Sequence, residues 1–231
     1  MESRLNYFLH LLFLLALTIG HVSASPNKSI FILAGQSNMV GRRVGYDSKG
    51  KKLWDKLNIL HQHACLAIRF NSEYSWEVAM EPLHGSIDKA NLCRVGLGML
   101  FAHELLKRAL SLGVIGLVPC AIGDTYITLW LPGTTYDNQT LKRAFAALKE
   151  GGKLRALLWY HGENEAKDGV GSFAVDVPKI FTSIRKDLNL PHLPIVQVAL
   201  PPDGKGVFRK DVRNLQLHFN LPPMKIVDAK G

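Results

Sequence analysis

Ser37 follows the apolar run 30–34 through Gly35 and Gln36, and it precedes Asn38 and Met39. At a strand-to-helix junction a serine hydroxyl can project from a tight turn while backbone N–H groups face a developing oxyanion. Ser37 is therefore a candidate nucleophile for acyl transfer, and equally a candidate helix N-cap, since serine caps helices well. Two further polar clusters also follow apolar runs: Cys120 to Thr125 after 114–119, and His161 to Glu165 after 154–160. Two alternatives drop out on spacing. Gly35 to Gly41 lacks the Gly-Lys-Ser/Thr ending of a P-loop, and Met39 stands where a Gly-x-Ser-x-Gly elbow needs its second glycine.

The elements that must position these clusters are short apolar runs at 30–34, 114–119, 154–160, 194–200 and 225–229. Amphipathic stretches separate them. Residues 98–110 place Met99, Phe101, Ala102, Leu105, Leu106 and Ala109 at helical spacing, 180–188 repeat the pattern more briefly, and His218 falls in a further predicted helix. Alternation of this kind predicts an α/β fold, a parallel sheet covered by helices on both faces. In such a sheet ligands bind beyond the carboxyl ends of the strands, where all three polar clusters fall. The stretch 42–91 has no sustained period and reads as a long loop or insertion.

A chain of 231 residues suffices for one domain, and no linker or repeat divides it. The net charge of +9 favours polyanions, but the 28 Lys and Arg residues are scattered rather than gathered in a stripe with aromatics, which argues against nucleic acid. Residues 1–24 read as a signal peptide, with Arg4 ahead of an apolar stretch at 11–19 and small residues before a cleavage point after Ala24. That stretch is short for a bilayer span, so no membrane association is expected once it is removed, and residues 25–231 form the mature domain. Asn27 and Asn138 are then glycosylation acceptors, Asn138 in a polar loop. Cys65, Cys93 and Cys120 match no zinc motif, and Cys120 reads as a small buried hydrophobe.

The block Phe31-Ile-Leu-Ala-Gly-Gln-Ser-Asn-Met39 with Gly41-Arg42 resembles the opening of the sialate O-acetylesterase-like domain of the SGNH/GDSL hydrolases. Further similar blocks are Val95 to Ala102, Gly116-Leu-Val-Pro-Cys-Ala-Ile-Gly123 with Thr125, and Leu158-Trp-Tyr-His-Gly-Glu163. The likeness is to the plant branch, whose members resemble acetylxylan esterases of carbohydrate esterase family 6. It implies a three-layer α/β/α sandwich around a parallel five-stranded sheet of flavodoxin-like connectivity. It also implies a serine esterase that removes acetyl groups from cell-wall carbohydrate through an acyl-enzyme, in the secretory pathway or apoplast. No metal or organic cofactor is implied. The resemblance implies Ser37 as the nucleophile, Glu163 as a candidate acid partner, and Gly123, His161, Gln36 and Asn38 as the oxyanion and substrate-binding set.

The sequence departs from the family pattern in three places. Relatives typically carry glutamine where His161 stands, and an imidazole donates one N–H only in the right tautomer. Asp124 replaces a glycine and puts a carboxylate beside the expected oxyanion, unless it is simply an exposed turn residue. The family's general base lies in an Asp-x-x-His segment after the last strand, and no such segment occurs up to Gly231. A catalytically impaired carbohydrate-binding relative, or an incomplete gene product, is therefore the competing expectation.

Overall fold

The computed structural model describes residues 28–42, 66–203 and 205–230. Its strands are β1 (Lys28–Gly35), β2 (Ala67–Phe70), β3 (Trp76–Val78), β4 (Val114–Pro119), β5 (Lys153–Tyr160), β6 (Ile195–Ala199) and β7 (Met224–Asp228). Its helices are α1 (Ser37–Val40), α2 (Leu97–Arg108), α3 (Thr135–Lys149), α4 (Glu163–Asp168), α5 (Phe173–Asp187) and α6 (Arg209–His218). All eight residues of β1 are buried, Lys28 and Ser29 included, and its apolar run 30–34 is what a strand covered on both faces requires. Successive side chains alternate between two cores, with Ile30, Ile32 and Ala34 in one and Phe31 and Leu33 in the other. Met99, Ala102 and Leu106 of α2 cover the second face, while Ala144 and Ala147 of α3 and Val177, Ile180 and Ile184 of α5 cover the first.

Parallel β4 and β5 flank β1, and β6 and β7 extend the sheet beyond β5. These five strands match the five expected runs, and their order β4-β1-β5-β6-β7 is the flavodoxin-like one. The strand count is corrected to seven, because β2 pairs in parallel with β4 and β3 closes that edge antiparallel to β2. Both lie in the stretch read as loop. Segments of four and three residues show no period of their own, and distant partners hold them. The Trp76 ring packs 5.0 Å from Phe70 and under the Lys28 ammonium, and the buried Arg143 of α3 donates to the carbonyls of Phe70, Asn71 and Pro119.

Two smaller expectations also change. α5 starts at Phe173 and runs through Pro178, the residue that makes periodicity alone begin it at 180. Asn138 sits exposed in the first turn of α3, where its amide donates to the Gly133 carbonyl at 2.8 Å, rather than in a loop. Cys120 is buried in the core as expected. Among the described residues no helix is long and apolar enough to cross a membrane. Residues 1–24, Asn27, Cys65 and Gly231 lie outside the described residues.

Candidate active site

At the end of β1 the backbone turns abruptly. Gly35 has φ +125°, and a Cβ there would lie 2.1 Å from the Tyr160 carbonyl oxygen, which accepts the Gln36 N–H at 2.9 Å. The turn delivers Ser37 as the first residue of α1. Gln36, not Ser37, holds the N-cap position, so the capping alternative for Ser37 falls away. The helix ends after one turn at Gly41, and the Arg42 N–H donates back to the Ser37 carbonyl at 3.0 Å.

Ser37 is half-buried and lines a cleft of about 300 Å³ together with Arg42, Glu163, Asn164, Lys167, Lys205 and Arg209. The cleft opens where β1 and β5 part, the point at which the strand order reverses and ligands bind in this topology. Glu163 opens α4, and its Oε1 accepts the Asn38 N–H at 2.8 Å, which ties the β1 and β5 loops together. Ser37, Glu163 and Asn38 therefore do converge. The N–H of Ser37, on the first helical residue, has no intrahelical acceptor.

Gly123 is reached from β4, and its N–H, the expected oxyanion donor, is already engaged. It donates to Asp88 Oδ2 at 2.8 Å. Asn91 braces the same loop, donating to Asp88 Oδ1 at 2.8 Å and to the Gly123 carbonyl at 3.2 Å. A Cβ on Gly123 would stand 3.0 Å from the Asp88 carboxylate and 3.2 Å from Arg42 Cδ, so the absence of a side chain lets these groups approach. Asp124 is exposed with φ +65°, a left-handed turn geometry that aspartate tolerates.

His161 is not in the cleft. Its ring is fully buried, stacked on Trp159 at 5.4 Å and edge-on to Trp130 at 6.0 Å, with Nδ1 3.5 Å from Glu165 Oε2. Side-chain alternation explains this, because His161 is two residues beyond Trp159 and keeps to the α3 and α5 face. Gln36 is fully buried too, neither atom of its amide has a partner among the described residues, and it does not line the cleft. Neither of these two side chains, expected in the oxyanion and substrate-binding set, therefore lines the cleft. Among the described histidines, His84, His103, His161, His192 and His218, none lines the cleft. Among the described residues no group of three or more His, Cys, Asp or Glu side chains could hold a metal ion. Asp88, Asn91 and Arg42 were not legible as site residues, since nothing in an aperiodic loop marks which polar residues fold inward.

Burial pushes the His161 imidazole down to about 3, so it is neutral in the folded protein across the ordinary pH range. In the unfolded chain it titrates near 6.5, and its contribution to stability is complete above that pH and lost as pH falls toward 3. His161→Gln is expected to remove about 2 kcal/mol of the destabilisation seen between pH 7 and 5. His84, also pushed down to about 3 by burial, acts in the same sense. Glu81, pushed up to about 7 by burial, acts in the opposite one, stabilising as pH falls from 7 toward 4.5. Both persist in the variant, whereas Glu165, raised by burial and 3.5 Å from the imidazole, is altered with it, so urea titrations at the two pH values read the His161–Glu165 pair. Parallel curves for wild type and variant would show that the imidazole is not buried neutral.

The family "Carbohydrate esterase, sialic acid-specific acetylesterase" matches residues 27–231. The protein named "Probable carbohydrate esterase At4g34215" of Arabidopsis thaliana is 40% identical over 217 residues, covering 90% of this chain and 82% of the relative. Its crystal structure superposes with a TM-score of 0.79, covering 90% of this chain and 87% of that one. A carbohydrate acetylesterase from Xanthomonas citri shares the fold at 18% identity and a TM-score of 0.59, covering 87% of this chain and 50% of its own. NanS shares it at 15% identity and a TM-score of 0.58, covering 88% and 78%.

Proposed function

The chain belongs to the carbohydrate esterase family of sialic acid-specific acetylesterases, and on that premise we propose that it is a serine O-acetylesterase acting on acetylated carbohydrate. The observation that carries the reading is Ser37 itself: a hydroxyl not spent on capping, in a cleft at the switch point of the sheet, with a guanidinium 3.4 Å from its Oγ. Ser37 Oγ attacks the acetyl carbonyl and forms the acyl C–O bond. The bond from that carbon to the sugar oxygen breaks, the sugar leaves as its hydroxyl with the proton given up by Ser37 Oγ, and water then cleaves acetyl-Ser37 to acetate and returns a proton to Oγ. The Ser37 N–H supports the oxyanion, and the Gly123 N–H joins it once Asp88 lets go. Glu163 holds the Asn38 backbone and so fixes the turn that carries the nucleophile.

A second reading, a carbohydrate-binding relative with little or no turnover, is favoured by one contact, the Asp88 carboxylate on the Gly123 N–H. Acetate release from acetylated xylo-oligosaccharides, followed by proton NMR, separates the two. Turnover supports the esterase. Binding of the same oligosaccharide by folded protein without acetate release supports the second reading.

We propose further that the protein enters the secretory pathway, where the exposed Asn138 would be glycosylated at the cost of its amide hydrogen bond to the Gly133 carbonyl. A mass shift at the Asn138 peptide on enzymatic deglycosylation is expected of protein from its native source. Unmodified Asn138 in that material counts against secretion.

A further inference from the structure

We propose that Arg42 is a catalytic residue of this site, its guanidinium activating Ser37 and sharing the charge of the oxyanion. The proposal rests on the esterase reading and deepens it. Arg42 follows α1 directly and folds back over it, so that Nη1 donates to Ser37 Oγ at 3.4 Å. A bond that long does not clamp the hydroxyl. It leaves the oxygen free to attack and keeps a permanent positive charge beside it, since guanidinium does not deprotonate in proteins.

The far side of the group is anchored. Nη2 donates to Asn91 Oδ1, Asn91 donates to Asp88 Oδ1 at 2.8 Å, and Asp88 Oδ2 accepts the Gly123 N–H at 2.8 Å. One arc of hydrogen bonds therefore runs from the nucleophile to the second oxyanion donor. Arg42 lies along it between the two: its Nη1 stands 3.3 Å, and its Cδ 3.2 Å, from the point where a Gly123 Cβ would be. An acyl oxygen held by the Ser37 N–H and approaching Gly123 develops its negative charge in that gap. The charged groups around it are Asp88 on the Gly123 side and Glu163, Lys167, Lys205 and Arg209 around the cleft. Charge stabilisation from a fixed cation weighs most where no described imidazole stands beside the serine.

The probe is an alkyl fluorophosphonate, which needs only a reactive Ser37. The Oγ–P bond forms, the P–F bond breaks, fluoride leaves and the hydroxyl proton passes to buffer. Labelling rates are read by intact mass for wild type, Arg42→Ala, Arg42→Lys and Asn91→Ala, against Ser37→Ala as background. Arg42→Ala is expected to label on the order of 10²-fold more slowly, Arg42→Lys to keep more of the rate, and Asn91→Ala to fall less than Arg42→Ala. Added ethylguanidinium should restore part of the Arg42→Ala rate, a response that a merely structural arginine would not give.

If wild type labels and Arg42→Ala labels within twofold of it, Arg42 is not catalytic while the esterase reading stands. A slowed Arg42→Ala that no guanidinium rescues and that Asn91→Ala reproduces in full makes Arg42 a brace for the loop, and the proposal fails. If wild type labels no faster than the Ser37→Ala background, the esterase reading and the Arg42 assignment fall together.

Discussion

Ser37→Ala is expected to bring acetate release down to the rate without enzyme, a loss of at least about 10³-fold, while leaving the melting temperature unchanged. The two halves of this expectation have separate causes. The hydroxyl is the only group in the proposed chemistry that forms a bond to the acyl carbon, so no neighbour can inherit its role. Glu163 lines the same cleft, but its carboxylate is engaged by the Asn38 N–H, and Asn164 is an amide. Stability is spared because the oxygen does little for the fold. It caps no helix, it is half-buried, and its hydrogen bond to Arg42 is long. Surface changes of this kind usually stay within about 0.5 kcal/mol. Acetate NMR on the variant, with a thermal melt beside it, reads both. A variant that keeps a tenth of the wild-type rate would remove Ser37 as nucleophile. Loss of the melt together with the rate would leave the serine as a structural residue.

The central sheet was legible because its strands carry their own signal. β1, β4 and β5 carry apolar runs at 30–34, 114–119 and 156–160, as strand segments covered on both faces do, and the polar residues that follow them mark the edge where the cleft forms. Ser37, Asn38 and Glu163 came together for that reason, since each lies just beyond the carboxyl end of β1 or β5. What was hidden depends on contacts far apart in sequence. β2 and β3 owe their place to Arg143, 73 residues after Phe70, and to the Trp76 ring against it. Asp88 and Asn91 reach Gly123 across more than thirty residues from a loop without period.

His161 shows a different limit. A residue one step past a strand can point to either side, and the family pattern put it in the oxyanion hole. The pleat turns it into the aromatic layer of Trp159 and Trp130, where its ring contributes packing and no charge. Its place beside Glu165, a carboxyl raised by burial, makes a polar pair inside the core, and Glu165 Oε1 is spent on the Ile127 N–H. That bond fixes the loop carrying Gly123 to α4, so the buried pair braces two walls of the site without entering the cleft. The turn after β1, more than any side chain behind it, sets where Ser37 stands.

That turn sets up the second large effect. Gly35→Ala is expected to abolish folding or to cost more than about 4 kcal/mol, whereas Gly133→Ala, also at positive φ, should cost about 1 kcal/mol. Both glycines occupy backbone that alanine rarely adopts, with φ +125° and +79°. The difference lies in what the new methyl meets. At Gly133 there is nothing within 4 Å. At Gly35 the methyl would fall 2.1 Å from the Tyr160 carbonyl oxygen and 2.7 Å from its carbon, and both atoms belong to the backbone of β5. A flexible side chain could move aside. Strand backbone cannot, because the same carbonyl accepts the Gln36 N–H and the strand is paired with β1 up to that residue. Relief would require β1 and β5 to part at their carboxyl ends, which is where Ser37 and Glu163 are joined through Asn38. A partly folded Gly35→Ala protein should accordingly lose fluorophosphonate labelling of Ser37 before it loses helical circular dichroism. Equal melting temperatures for the two alanine variants would show that β5 yields at Tyr160 and that the turn, as described, does not hold the nucleophile.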